Sequence, residues 1–142
     1  EPQVMKSTGF GLLKTEPSTY SYQDLQRDRK TGWDGVRNFQ ARNFLGQAKK
    51  GDLALIYHSV SEKAVVGVAK VVREAYPDPD PKKKGEWVQI DIQAVKPLQS
   101  PVTLEQIKTK KTLADLPLLK QSRLSVMPVA RKHYETILRM GQ

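Results

Sequence analysis

Cysteine is absent from the 142-residue chain, so the sequence excludes disulfides, Cys-ligated metal sites and Cys nucleophiles. No apolar run approaches the roughly 18 residues that a membrane-spanning helix needs. The opening segment, EPQVMKSTGF, lacks the apolar core of a secretory signal. Together these absences predict a cytoplasmic protein that has no membrane partner.

Signatures of catalysis are also scarce. The sequence contains neither GxGxxG nor GxxxxGK followed by Ser or Thr, which removes the common phosphate-binding loops. No ligand spacing around His58 or His133 indicates a metal site, and we expect His133 to be solvated on a basic C-terminal helix. Ser59 adjoins His58, but neighbouring strand residues point to opposite faces and do not form a nucleophile–base pair. We therefore expect no catalytic residue, no metal, no cofactor and no enzymatic activity.

Acidic residues are few relative to basic ones. The chain has 24 Lys and Arg against 15 Asp and Glu, a formal net charge of +9. Such an excess attracts polyanions and speeds their encounter with the protein. Charge alone leaves two interpretations open: a nucleic-acid partner, or charge that serves solubility.

The pattern of hydrophobic residues predicts one domain over residues 10–142, preceded by a poorly ordered N-terminus over residues 1–9. Period-two and apolar runs predict strands at 10–17, 53–59, 64–76, 87–98 and 122–129. Capping signals and period-3.6 runs predict helices after Ser21, over 39–50, after Thr103 and over 130–140. Thr31–Val36 is expected to be irregular because of its glycines. These elements favour an α+β fold in which a mixed sheet curls into a barrel flanked by short helices.

Polar and aromatic residues stand together where three of these elements end. Lys14 and Thr15 end the first strand, Tyr57, His58 and Ser59 end the second, and Trp33 to Asn38 precede a helix. Aromatic faces with amides, hydroxyls and an ammonium are suited to a planar heterocycle, by stacking and edge hydrogen bonds. Each cluster also has a structural interpretation: Trp33 and Tyr57 as core residues, and Asn38 as a helix cap.

Three motifs resemble the EVE domain family. These are WDGVRNFQARNF (33–44), YHS (57–59) and QSRLSVMPV (121–129), within a match that runs from residue 10 to about 140. The resemblance implies a PUA-like fold, related to the YTH and ASCH domains. It also implies a binding module that recognises a modified nucleobase, modified cytosine first, in DNA or RNA. A monomer or weak dimer is expected.

The resemblance also implies a set of site residues. The family pattern is matched at the proposed ligand-binding positions Lys14, Thr15, Trp33, Asn38, Asn43, Tyr57, His58 and Ser59, and Phe39 stands in the same set where the family often has Tyr. The proposed contacts to the nucleic-acid backbone are Arg37, Arg42 and Arg123. Gly11 departs from the family, which usually has Trp there. Two alternatives remain open: a sensor of a nucleoside-like metabolite, and a small hydrolase using Lys14, Glu16 or His58.

Overall fold

The computed structural model describes residues 9–33, 39–78, 87–121 and 123–142. The predicted N-terminal segment 1–9 lies outside this range except for its last residue. In chain order the elements are β1 Phe10–Thr15, α1 Tyr22–Asp28, β2 Lys30–Trp33, α2 Phe39–Gln47, β3 Leu53–His58, β4 Ala64–Pro77, β5 Val88–Thr103, α3 Leu104–Thr109, a 3₁₀ turn Lys111–Leu113, α4 Pro117–Lys120, β6 Val126–Pro128 and α5 Arg131–Met140.

A six-stranded mixed sheet organises the fold, in the order β2-β5-β4-β3-β1-β6. The β1 and β3 strands are parallel, and every other pairing is antiparallel. The prediction of an α+β fold is therefore confirmed. The word barrel is too strong, because β2 and β6 stand at opposite ends of the strand order and the described sheet is not closed.

The predicted hairpin is confirmed by the pairing of β3 with β4. Its ladder shifts register next to Ile56 and Tyr57, where Val66 is the extra residue. Gly67, which the sequence marks as a bulge or close contact, lies under the ring of Tyr22, and an added Cβ would stand within 2.6 Å of three atoms of that ring. A glycine is needed here because the first helix packs directly on the strand backbone.

Two helices begin where their capping signals predict. Ser21 and Asp24 form a reciprocal capping box at α1, and Thr103 and Gln106 form another at α3. Each box supplies acceptors for N–H groups that the first helical turn leaves unpaired. These local signals depend on few residues, so the sequence reveals them without tertiary information.

Two expectations about local structure are wrong. Lys30–Trp33 forms the edge strand β2, paired with β5, although Gly32 breaks the strand pattern in the sequence. His133 is buried rather than solvated, with 3% of its surface exposed. Its Nε2 lies 3.0 Å from Oδ1 of Asp115, on the side of α5 that also buries Ile137. In both cases tertiary contacts override the local pattern.

The hydrophobic core lies between the sheet and its helices. On one side α2 packs against β4, β5 and β6, with Phe44 and Leu45 buried. Leu55, Ile92 and Ile137 are fully buried elsewhere in the same core. No helix in the described ranges combines the length and hydropathy needed to cross a bilayer.

Candidate functional site

The parallel pairing of β1 with β3 brings two of the predicted clusters together. Lys14 lies in register with Tyr57, and Thr15 with His58. Ser59 continues the pairing, since its N–H donates to the carbonyl of Thr15 over 2.9 Å. Because side chains alternate along a strand, Lys14 and Tyr57 share one face of the sheet, and Thr15 and His58 share the other.

The Thr15–His58 face holds the start of α1. The Thr15 hydroxyl donates to the carbonyl of Tyr20 over 2.7 Å. The Tyr22 N–H donates to Nε2 of His58 over 3.0 Å, so the ring proton stands on Nδ1, which contacts Glu62 at 2.6 Å. We call Thr15, Tyr20, Tyr22 and His58 the α1 anchor. With 3% of its surface exposed and both nitrogens engaged, His58 positions the helix and offers no ring nitrogen to a ligand.

The Lys14–Tyr57 face carries a partly desolvated ammonium. Nζ of Lys14 lies 6.0 Å from the centre of the Tyr57 ring. Burial lowers the pKa of Lys14 and raises the pKa of Tyr57, because removal from water disfavours the charged form of each group. A cation in such surroundings interacts more strongly with an anionic ligand than one in bulk water.

Trp33 lies in the core. It has 9% of its surface exposed and meets Tyr20 edge-on, with 6.4 Å between ring centres. The packing of Trp33 therefore supports its interpretation as a core residue. The predicted residues Arg37 and Asn38 lie outside the described ranges, and for Phe39 only its place as the first residue of α2 is described.

The remaining predicted residues lie away from the strand ends. Asn43 is exposed on α2, and Arg123 is exposed in the segment before β6. Arg42 lies with its guanidinium 5.9 Å from the centre of the Trp87 ring. Within the described ranges, no three His, Cys, Asp or Glu side chains come together in a way that could hold a metal ion.

A polar cluster that sequence reasoning missed lies over β2. An added Cβ at Gly32 would stand 3.1 Å from Oε1 of Gln89, 3.3 Å from the hydroxyl of Tyr76 and 3.4 Å from Oδ1 of Asp91. A signal for it is present in the sequence, because Gln89 and Asp91 alternate with Val88, Ile90 and Ile92 along β5. Only the pairing of β2 with β5 reveals that these residues converge on a glycine.

Comparison with known proteins identifies the family. A model of the EVE domain matches residues 11–140. Thymocyte nuclear protein 1 from Gallus gallus is 34% identical over 164 residues, covering 92% of this chain and 68% of that protein. The Homo sapiens protein of the same name is 33% identical, covering 92% and 73%. The chain belongs to the EVE domain family.

Solved structures of EVE proteins share the architecture. Rpa0253 from Rhodopseudomonas palustris is 42% identical with a TM-score of 0.87, and the alignment covers 93% of this chain and 92% of that one. Human THYN1, solved in complex with 5-methylcytosine-containing DNA, is 31% identical with a TM-score of 0.86, covering 94% and 97%. The ASCH protein of Zymomonas mobilis, 12% identical with a TM-score of 0.60, shares the fold alone.

A cavity lies beside Gly11 in this EVE domain. The cavity measures about 50 Å³ and lies between α2 and the sheet, lined by Gly11, Phe44, Val71, Met127 and other mainly apolar residues. None of the proposed ligand-binding residues whose side chains the structure describes lines it, so the cavity is separate from the strand-end cluster.

Proposed function

We propose that this EVE domain is a non-catalytic reader of modified cytosine, 5-methylcytosine first, in DNA. The observation that carries the proposal is the human relative that binds 5-methylcytosine-containing DNA and shares the fold with a TM-score of 0.86. The match covers nearly the whole of both chains, so the proposal rests on a complete domain.

The charge of the chain supports a nucleic-acid partner. A net charge of +9 favours binding to the phosphate backbone, which supplies most of the sequence-independent affinity. We expect the basic side chains to concentrate on the face that carries the binding site, with Arg37, Arg42 and Arg123 among the phosphate contacts. Lys14, partly desolvated beside Tyr57, would add an ammonium to the same surface.

The strand-end cluster supports a site for a base or its sugar-phosphate. In this proposal Lys14, Tyr57 and Ser59 form the rim, and Thr15, His58 and Trp33 hold it in place from within. Asn38, Phe39 and Asn43 complete the proposed set from the loop and helix that follow β2. Two measurements separate the alternative partners from DNA. Binding of a free nucleoside should depend little on salt, because it has no phosphate backbone. Binding of RNA differs from binding of DNA in the sugar that the protein contacts.

The test is a set of matched oligonucleotides measured by fluorescence anisotropy. DNA and RNA strands that carry a single cytosine, 5-methylcytosine or 5-hydroxymethylcytosine are titrated between about 50 and about 200 mM salt. We expect 5-methylcytosine DNA to bind best, with an affinity that falls steeply as salt rises. Equal affinity for methylated and unmodified strands would refute the proposal, and salt-independent binding of the free nucleoside would favour the metabolite sensor.

Lys14→Met tests the contribution of phosphate contacts to the affinity, because the side chain keeps roughly its length and loses its charge. We expect it to weaken all oligonucleotides about equally and to reduce the slope of log affinity against log salt by about one. Glu105→Gln, an exposed charge change on α3, serves as the control. If the slope for Lys14→Met equals that of the wild type, Lys14 makes no phosphate contact.

A further inference from the structure

The loop that joins β3 to β4, residues 59–63, begins at the proposed rim. Ser59 belongs to the rim, and its N–H donates to the carbonyl of Thr15 at the end of β1. Val60 follows directly and has 65% of its surface exposed, the largest value among the large apolar side chains of the described ranges; the next is Val95 with 47%. An apolar side chain therefore stands in solvent immediately beside the surface to which the base is assigned.

The backbone conformation at Val60 is unfavourable for a valine. Its φ is +71°, in the left-handed region. Glycine and asparagine adopt that region readily, whereas a β-branched side chain there is strained. A single exposed valine is common on protein surfaces, but Val60 contributes neither buried apolar area nor a relaxed backbone to the folded domain. This combination points to a role in binding rather than in the fold.

Contacts on the far side of Val60 hold the loop in one shape. The carboxylate of Glu62 contacts Nδ1 of His58 at 2.6 Å. The carbonyl of Lys63, the last residue of the loop, accepts the Leu104 N–H over 2.8 Å. Strained backbone persists only where its surroundings hold it. A loop that is held in this way presents its side chain to a partner with little further loss of conformational entropy.

Two ammonium groups accompany Val60. Lys63 is exposed at the end of the same loop, and the acidic residue of the loop, Glu62, is engaged with His58. Lys14 is joined to the start of the loop through the pairing of β1 with β3. Ammonium groups bind phosphates, and DNA-binding proteins use apolar side chains as wedges between base steps. The loop thus combines groups that suit duplex DNA, which presents both phosphates and stacked bases.

We propose that Val60 inserts between stacked bases of duplex DNA next to the modified cytosine. The inference rests on the proposed function and adds the form of the nucleic acid, a duplex rather than a single strand. Stacking and pairing cover the ring faces and the pairing edge of a base in a duplex, so the rim can reach them only after the stack opens. The Val60 side chain would fill part of the space that opens and replace some of the lost stacking.

Val60 would contact the bases without reading the methyl group. It should therefore strengthen binding to methylated and unmodified duplexes alike and leave the ratio of the two affinities unchanged. A single strand has no duplex stack to open, so Val60 should matter little for its affinity. These expectations separate Val60 from the rim residues, which are assigned to the modified base in either form of DNA.

The experiment compares Val60→Ala with Val95→Ala, which removes the same two methyl groups from an exposed position within β5. Affinity is measured by fluorescence anisotropy for a duplex and for the matching single strand, each with cytosine or 5-methylcytosine. We expect Val60→Ala to bind both duplexes about tenfold more weakly, roughly the value of two buried methyl groups, and to bind the single strands as the wild type does. Val95→Ala should match the wild type throughout.

A second measurement reports the opening of the stack directly. The base 2-aminopurine, placed next to 5-methylcytosine in the duplex, becomes more fluorescent when it unstacks. We expect the wild type and Val95→Ala to raise this fluorescence and Val60→Ala to raise it less.

Val60→Gly separates binding from folding, because it removes the side chain and the backbone strain together. We expect a higher melting temperature with the same loss of duplex affinity. A loss of affinity in a more stable protein is not explained by damage to the fold.

The outcomes distinguish the two proposals. If the wild type prefers 5-methylcytosine and Val60→Ala binds the duplex as tightly as the wild type, the insertion of Val60 is overturned and the proposed function stands. Equal weakening of duplex and single strand by Val60→Ala would also overturn the insertion. If the wild type does not distinguish 5-methylcytosine from cytosine but Val60→Ala still lowers duplex affinity and fluorescence, the insertion stands and the proposed function fails.

Discussion

The α1 anchor and the polar side chains beside Gly32 (Tyr76, Gln89 and Asp91) are two polar clusters on the same sheet, and they differ in how clearly the sequence marks them. In the α1 anchor, the Thr15 hydroxyl and both nitrogens of His58 have protein partners. Beside Gly32, the Tyr76 hydroxyl donates to Oδ1 of Asp91, and Gln89 is buried in the same group. Both clusters therefore place polar groups against partners within the protein, as buried polar groups require.

The most conspicuous motif of a sequence can therefore be structural. The YHS segment suggests chemistry because three polar residues are adjacent at the end of a strand. In the folded chain, His58 and Thr15 use their side chains to hold α1. The polar group beside Gly32 draws its side chains from β4 and β5, and no contiguous run in the sequence marks it. Variants in the α1 anchor should therefore change stability and leave base discrimination unchanged.

The largest expected effect is on stability, from Gly67→Ala beside the α1 anchor. The new Cβ would stand within 2.6 Å of three ring atoms of Tyr22. That ring has little freedom to move, because it is 2% exposed and its hydroxyl donates to the carbonyl of Val68 over 2.7 Å. We expect a loss of about 3 kcal/mol in the free energy of unfolding, measured by urea denaturation.

Gly46→Ala is the matched control for this prediction. Gly46 lies in α2, and an added Cβ there would meet nothing within 4 Å. Alanine in an exposed helix should stabilise the protein by about 0.5–1 kcal/mol. If Gly67→Ala leaves the free energy of unfolding unchanged, Tyr22 does not pack on β4 as described, and the α1 anchor loses its main apolar contact.

The next effect in size is that of His58→Ala. It removes the acceptor of the buried Tyr22 N–H and leaves that group unsatisfied, so we expect a loss of about 2 kcal/mol in the free energy of unfolding. Glu62→Gln, which keeps an oxygen near Nδ1 on a half-exposed side chain, should change stability by less than about 0.5 kcal/mol.

Base discrimination provides the second measurement for His58→Ala. We expect the ratio of affinities for 5-methylcytosine and unmodified cytosine to match the wild type at a temperature where both proteins are folded. A variant that keeps its stability but loses this ratio would show that His58 contacts the ligand, contrary to its buried position. The α1 anchor would then be part of the binding site.

Much of the fold is predictable because its signals are local. The capping boxes at Ser21 and Thr103 need only four residues each, and the hairpin of β3 and β4 follows from two apolar runs with a short link. The motifs around Trp33 and Tyr57 are specific enough to indicate the EVE family by themselves, and the family model confirms it. Short-range interactions thus determine where most elements begin.

What the sequence did not reveal depends on pairing between distant segments. β2 exists because its backbone bonds to β5, and no local preference compensates for Gly32. His133 is buried because α5 packs this face on the sheet, although its spacing from Ile137 places both on one side of the helix and could have been used. The polar group beside Gly32 comes together only through the pairing of β4 with β5 and of β5 with β2.

The smallest expected effect concerns the charge in the α1 capping box. The carboxylate of Asp24 accepts the Ser21 N–H over 2.9 Å, and this bond, followed by the Ser21 hydroxyl and the Arg27 guanidinium, lowers its pKa from the ordinary value of 3.8. A carboxyl whose pKa is lower in the folded than in the unfolded state stabilises the protein at pH values above its pKa in the unfolded state. That stabilisation disappears as the pH falls through the pKa of the folded state.

Asp24→Asn keeps an oxygen for the Ser21 N–H but removes the charge. The variant therefore tests the direction in which the contribution of Asp24 to stability changes with pH. We expect the wild type to melt at a higher temperature than the variant near pH 7, and the difference to shrink as the pH falls below about 4. Asp28 and Asp115, whose pKa values are also lowered, remain in both proteins, so their contributions cancel in the difference. A difference that grows toward acid pH would contradict the capping role. Because Asp24 caps α1 and is not among the proposed contacts to the base, the ratio of affinities for 5-methylcytosine and unmodified cytosine should stay the same in this variant.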